Sequence, residues 1–292
     1  MSGKRAIAIV LAWDHIDDTV ECIDSLTMSN YQNLQITLVD NGSIDGTAAI
    51  VAEKFPGVKV LRIENNVGIA QGYNFGLEHA IEEEADYVMV MNNDTIASPD
   101  MVSELIRAMD EEPDAGMLMP KVFVSNGDED RLWCAGAKWR KFPPSVKLIG
   151  ANERDGRKFS QVRELEFAPS CCLLMSREAL DQVGLFDPKY YFYFDDWDLS
   201  ARFRAGGYKI LFVPRAHLWH KVSVSTHKSE KPNQWWYIMG KSSVRFYLTY
   251  RNLSILIVHT AWFVMREMVK LNFSRIIPYL RGVTHAIAKY SK

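Results

Sequence analysis

In the first third of the chain, apolar runs of strand length alternate with segments that repeat at helical spacing. "RAIAIVLAW", "LQITLVDNGS", "VKVLRIE" and "DYVMVMNNDT" read as strands. "DDTVECIDSL", "DGTAAIVAEKF", "AQGYNFGLEHAIEEE" and the stretch opening "SPDMVSELIRAM" read as helices between and after them. Strands that are apolar at nearly every position must be covered on both faces, and the intervening helices supply the cover. The pattern therefore predicts a parallel sheet between two helical layers. In such sheets ligands sit beyond the carboxyl ends of the strands.

Those ends are polar here. Asp14 follows the first run, Asp40 to Ser43 ("DNGS") the second, and Asn92 to Asp94 ("NND") the fourth. Each tract alone has a local explanation: Asn41–Gly42 suits a turn, and Ser43 or Asp45 suits the cap of the next helix. Three such tracts facing one crevice point to a ligand. The common phosphate motifs are missing, since no G-x-x-x-x-G-K-[ST] occurs and the glycines of "GIAQGYNFG" stand four apart, unlike G-x-G-x-x-G. A carboxylate such as Asp94, after an apolar strand, can instead hold a hard divalent cation, which in turn holds a diphosphate.

Further along, "FDDWDLSARFRAGG" (194–207) crowds Asp195, Asp196 and Asp198 into one helical turn. Asp198 and Arg202 stand four apart and Gly206–Gly207 marks a stop, so a helix start accounts for part of the charge. One cap needs one acid, which leaves Asp195 and Asp196 as candidates for chemistry. "YKILFVPRAHLWHKVSVST" reads as a strand followed by an irregular segment carrying His217 and His220.

With 292 residues, 48% hydrophobic and 24% charged, the chain has material for one large domain or two fused ones. Its net charge of −2 gives no reason to expect nucleic acid, yet from Lys241 onward nine basic residues face Glu267 alone. The apolar stretch "LSILIVHTAWFVM" falls short of the ~20 residues a bilayer span needs and contains His259, so no transmembrane helix is expected. Paired with the basic excess, it suits an interfacial helix on an anionic leaflet; the alternative is a pair of helices packed on the domain with a solvated basic face. Cys22, Cys134, Cys171 and Cys172 form no C-x-x-C pair and no zinc spacing, and the N-terminus lacks a signal-peptide pattern, which fits a reducing cytoplasm.

Taken in order, "LVDNGSIDGT", "NVGIAQGYNFGL", "VMVMNNDT", "SCCLLMSREALDQVGLFDPKYYFYFDDWDLSARFRAGGYKILFVPRAHLWH" and "FYLTYRN" resemble glycosyltransferase family 2, particularly its rhamnosyltransferase-like members, along nearly the whole chain. The resemblance implies an α/β fold of the GT-A type, a Rossmann-like, mostly parallel sheet flanked by helices, with a C-terminal helical extension. Residues 1–112 would form the nucleotide-sugar-binding half, 113–222 the acceptor-binding and catalytic half, and 223–292 the basic, apolar extension.

It further implies Mg2+ or Mn2+, a dTDP- or UDP-sugar donor with dTDP-rhamnose leading, and inversion at the anomeric carbon. The acceptor would be a glycan or a polyprenyl-linked sugar in cell-surface polysaccharide synthesis, met at the inner face of the plasma membrane through residues 241–292. Homo-oligomers are compatible with it. Residue by residue, Asp40 matches the carboxylate that touches the nucleotide base or ribose, and Asn92 and Asp94 the ends of a D-x-D-like motif. Asp14, Asn66, Gly68, Asn74 and Asn93 join the donor set, and Asp94 and His220 the metal. Asp196 resembles the catalytic base, with Asp195, Trp197 and Cys172 on the acceptor side. Trp197 and the run Tyr190 to Phe194 would stack on a sugar face or belong to the core. Two rivals are a nucleotide-sugar-binding scaffold without turnover, and a nucleotidyltransferase, whose glycine- and Arg/Lys-rich N-terminal loop is replaced by the acidic "VLAWDHIDDT".

Overall fold

The computed structural model describes residues 3–125, 130–221 and 232–290. The boundary at 222–223, the end of "HKVSVST", and Lys292 lie outside the described residues. The expected strands appear as β1 (Ala6–Ala12), β2 (Leu34–Asn41), β3 (Lys59–Ile63) and β4 (Tyr87–Asn92), mutually parallel in the order β3-β2-β1-β4. The helices between them are α1 (Ile16–Thr27), α2 (Thr47–Lys54) and α3 (Ile69–Glu82); α4 (Met101–Glu111) follows the short strand β5 (Thr95–Ala97). Every residue of β1 is buried, as a strand sandwiched between helices must be. In register, Ala12 pairs with Asp40 and Leu11 with Asn92, so the polar tracts leave the sheet level with one another.

The second part of the chain extends the same sheet. Its strands are β6 (Ala115–Val124), β7 (Leu132–Cys134), β10 (Arg163–Glu164), β11 (Cys172–Ser176) and β12 (Lys209–His220), and the full order is β10-β12-β6-β11-β4-β1-β2-β3. β11 runs antiparallel to both β4 and β6, while β6 and β12 are parallel. This reversal places the start of β11, at Cys171 and Cys172, at the same edge as the end of β4. β8 (Ala137–Arg140) and β9 (Ser145–Leu148) form a separate hairpin, and α5 (Arg177–Val183) and α6 (Asp195–Ala205) complete this part.

One expectation needs correction. The segment carrying His217 and His220 is not irregular but the second half of β12. Pro214 has no N–H to give the ladder, so pairing with β6 breaks between Val213 and His217 and then resumes. Beyond the break β12 also takes β5 as an antiparallel neighbour, with His220 opposite Thr95.

Among the described residues the extension holds three helices, one more than the packed pair of the alternative reading: α7 (Pro232–Tyr250), α8 (Leu253–Val269) and α9 (Phe273–Tyr290). Asn252 caps α8, its side chain accepting the Ile255 N–H at 2.9 Å, so the apolar stretch that begins at Leu253 starts a helix of its own. Phe246, Tyr247, Phe263 and Tyr279 form a second apolar cluster with Phe167 and Tyr190, so the extension packs on the domain through its inner faces. Among the described residues no helix is long and apolar enough to cross a membrane.

Candidate active site

Two adjoining cavities open at the carboxyl ends of the strands. The first, of about 370 Å3, is lined by Asn41, Asn66, Gly68, Asn92, Asn93, Asp94 and His220, with Trp13, Trp133, Tyr191, Phe192 and Trp235 as its aromatic walls. The second, of about 350 Å3, is lined by Ser170, Cys171, Asp195, Asp196, Trp197, Tyr247 and His259. Asn92, Trp133, Phe192 and His220 belong to both.

β5 explains how a metal-type pair arises from residues far apart in sequence. After Asn93 and Asp94 the chain doubles back to pair with β12, which brings the Asp94 carboxylate to 3.1 Å from His220 Nε2. The other ring nitrogen, Nδ1, is buried and has no partner among the described residues, while Trp133 packs edge-on against the imidazole at 4.6 Å. The Asp94 carboxylate and His220 Nε2, which face each other, are a donor set that suits Mn2+ or Mg2+ if a cation takes the place of their hydrogen bond. No group of three or more such side chains occurs among the described residues, so diphosphate and water oxygens would have to complete a coordination shell.

The asparagines hold the walls in place. Asn41 Oδ1 accepts the Val67 N–H at 3.0 Å and its amide donates to Asn66 Oδ1 and Gly68 O, tying the end of β2 to the loop before α3. Tyr73 donates to Asn92 Oδ1 at 2.9 Å, and Asn93 donates to Thr19 Oγ1 at 2.9 Å. Gly68 sits at φ 89° with its Cα against the Tyr191 carbonyl, where any side chain would collide. The same carbonyl accepts the Ile69 N–H at 2.8 Å, so the aromatic run is drawn up to the cavity.

Asp195 and Asp196 open α6. The two residues before them, Tyr193 and Phe194, both have left-handed φ (65° and 68°), a conformation that costs bulky side chains about 1–3 kcal/mol each and persists only when the surroundings hold it. Helix α7 supplies that hold. Ser242 donates to the Phe192 carbonyl at 3.0 Å, Arg245 grips Asp187, and Tyr250 donates to Asp198 at 2.8 Å. Asp198 also takes Arg202 Nε at 2.9 Å, the pairing its spacing predicts. Burial pushes the Asp195 carboxyl up to about 7, and one of its oxygens has no hydrogen-bond partner among the described residues. Asp196 accepts the Trp197 N–H at 2.9 Å; burial first, and the neighbouring Asp195 charge second, still raise its carboxyl well above the usual range. The pair faces a cavity and both carboxyls are raised, the kind of shift that marks candidate acid–base groups in a shielded site.

Tyr250→Phe tests the brace. The variant is expected to lose about 1.5 kcal/mol of stability and to lower kcat several-fold at unchanged donor KM, read by thermal unfolding and steady-state kinetics. A purely structural contact would leave kcat where it was.

The remaining candidates lie elsewhere. Asp14 and Asp40 line neither cavity: Asp14 accepts the Ile44 N–H at 2.9 Å, and buried Asp40 accepts the Ser43 N–H at 2.9 Å and faces Arg62 at 3.8 Å. Asn74 is not brought to either cavity, because its amide clamps the Phe186 backbone in both directions, at 2.8 and 3.0 Å. Cys172 is buried in β11, and it is Cys171 that reaches the second cavity. Tyr190 is core, Tyr191 and Phe192 line the first cavity, and Trp197 packs edge-on against Phe167 at the second. Sequence reading missed Trp13, Asn41, Trp133, Trp235, Tyr247 and His259. Trp13, Asn41 and Tyr247 stood inside tracts already singled out and His259 inside the apolar stretch; Trp133 and Trp235 carried no local signal.

The polar sheet edge, the Asp94–His220 pair and the two acids that open α6 thus face two adjoining cavities. The profile of Glycosyl transferase family 2 matches residues 8–184, and the chain belongs to that family; it is a glycosyltransferase. Its relatives include the N-acetylglucosaminyl-diphospho-decaprenol L-rhamnosyltransferase of Mycobacterium tuberculosis, 29% identical over 69% of this chain and 71% of that one. The glycosyltransferase GlyG of Streptococcus pneumoniae is 26% identical over 74% of this chain and 70% of its own. Among solved structures, GalNAc-T7 with UDP, GalNAc and Mn2+ matches with a TM-score of 0.62 at 14% identity, covering 83% of this chain and half (50%) of that one. The mannosyltransferase PcManGT of Pyrobaculum calidifontis, in complex with GDP-Man and Mn2+, matches with a TM-score of 0.57 at 15% identity, covering 97% of this chain and 75% of that one. At such identities the likeness establishes the GT-A fold.

Proposed function

We propose that this enzyme moves a sugar from a nucleotide-sugar donor to a hydroxyl of a glycan or lipid-linked acceptor, with inversion at the anomeric carbon. The observation that carries this reading is the shared wall: Asp94 and His220 on the first cavity and Asp196 on the second are separated by Asn92 and Trp133, which belong to both sides. The donor would lie in the first cavity, with Asn41, Asn66, Asn92 and Asn93 around its nucleotide and diphosphate. Asp94 and His220 would hold Mg2+ or Mn2+, which offsets negative charge on a departing diphosphate.

The acceptor would enter the second cavity. Asp196 takes the proton of its hydroxyl as that oxygen bonds the anomeric carbon; the bond from that carbon to the diphosphate oxygen breaks on the opposite face, and the nucleoside diphosphate leaves. One displacement gives one inversion. Asp195 stands beside Asp196, and its charge raises the Asp196 carboxyl and so strengthens it as proton acceptor. The mycobacterial relative is named for an L-rhamnosyl transfer to a decaprenyl diphosphate sugar, which favours dTDP-rhamnose over a UDP-sugar and a polyprenyl-linked acceptor over a free glycan. Work on such an acceptor would place the enzyme peripherally at the inner face of the plasma membrane.

Thermal unfolding with UDP, dTDP and GDP, each with and without Mn2+, tests the donor side. A ligand at a hundredfold its Kd adds about 2.7 kcal/mol, a shift on the order of 5 °C. One nucleotide should stabilise the wild type in a Mn2+-dependent way and Asp94→Ala should lose that dependence. No shift with any nucleotide would count against the transferase site.

A further inference from the structure

The outer face of the extension is apolar where none of the described residues covers it. On α8 Ile257, Met265 and Val269 recur at helical spacing and are exposed, and the stripe continues through Leu271, Phe273 and Ile277 across the turn into α9, with Val269 79% and Leu271 75% exposed. A stripe of this length is unusual on a water-facing surface. Its charges have one sign. Lys270 sits in the turn and Arg281 one turn beyond Ile277 on the same face, both exposed. Glu267, the one acid from Lys241 onward, is 1% exposed and consumed by Arg266 and Arg275.

We propose that this α8–α9 stripe docks the enzyme on an anionic phospholipid bilayer. The apolar side chains enter the interface and Lys270 and Arg281 meet lipid phosphates. A second copy of the chain fits less well, because a two-fold contact through the stripe would set the same basic rim against itself. The geometry also links the surface to the chemistry. The opposite side of α8 sends His259 into the wall of the Asp196 cavity, where its Nδ1 lies 2.8 Å from the Pro144 carbonyl. One helix therefore touches the bilayer on its outer side and the acceptor cavity on its inner side. An acceptor carried on a membrane lipid reaches Asp196 without leaving the leaflet, a consequence that rests on the lipid-linked acceptor proposed above.

The test is sedimentation of the full chain with vesicles of phosphatidylcholine alone and of phosphatidylcholine mixed with phosphatidylglycerol, for the wild type, Phe273→Glu/Ile277→Glu and Lys270→Glu/Arg281→Glu. Each replaced side chain is exposed, and an unchanged Tm checks that the variants fold. The wild type should bind the anionic vesicles and release with salt, and both variants should bind at least about tenfold more weakly. Wild-type indifference to anionic vesicles, or binding unchanged in both variants, overturns the proposal. So does a wild-type dimer that becomes monomeric in Phe273→Glu/Ile277→Glu without vesicle binding in either. The nucleotide-dependent thermal shift is read on the same samples; its loss would fault the donor site and leave the vesicle result standing.

Discussion

Sugar transfer by an Asp196→Asn variant is expected to fall about a thousandfold with nucleotide affinity unchanged. The amide has nearly the shape of the carboxylate but cannot take the acceptor's proton, and Asp196 lines the second cavity, not the one assigned to the donor. Initial rates and nucleotide titration measure the two halves of the prediction; strong activity in the variant removes Asp196 as the base. The pH dependence has a fixed sign. Burial raises both carboxyls, so the base is unmasked and the rate climbs as pH rises above the ordinary carboxylate range. Asp195→Asn removes the neighbouring charge that helps raise Asp196 and should move the climb to lower pH. Stability moves the other way. The native state holds these protons more tightly than the unfolded chain, so the pair's contribution is fully present below the ordinary carboxylate range and lost as pH rises through about 7.

Gly240→Leu should produce the largest loss of stability, on the order of 3 kcal/mol or roughly 5 °C in Tm. Helices α7 and α9 cross with their backbones nearly touching. A Cβ at Gly240 would fall inside the Tyr279 carbonyl, and one at Gly282 inside the Tyr237 carbonyl, so neither helix can move away from one clash without meeting the other. Because α7 also carries Trp235, Met239 and Tyr247 to the two cavities, activity should fall with the Tm. A variant that melts like the wild type would mean that the crossing tolerates a wider spacing.

The sheet's first half was legible because its causes are local. Continuous apolar runs of strand length need cover on both faces, and helical spacing between them supplies it; β1 to β4 and α1 to α4 follow from that. The same locality put Asp94, Asn92 and Asn93 at a strand end, and Asp198 beside Arg202. By contrast, Asn74 looked equivalent to Asn66, and only the packing of Phe186 against α3 turned its amide to a structural clamp.

What the sequence by itself determined is thus the layered α/β framework, its polar edge and the crowding of acid at the start of α6. The tertiary structure decided which of those groups meet. β11 runs antiparallel between two strands that ascend, β5 folds back onto β12, and His220 comes to Asp94 across 126 positions. Helix α7 braces a strained turn it follows by about fifty residues. Strand register and helix crossing are settled by contacts remote in sequence, and residue periodicity, which reports only the face a side chain occupies within its own element, carries no record of them.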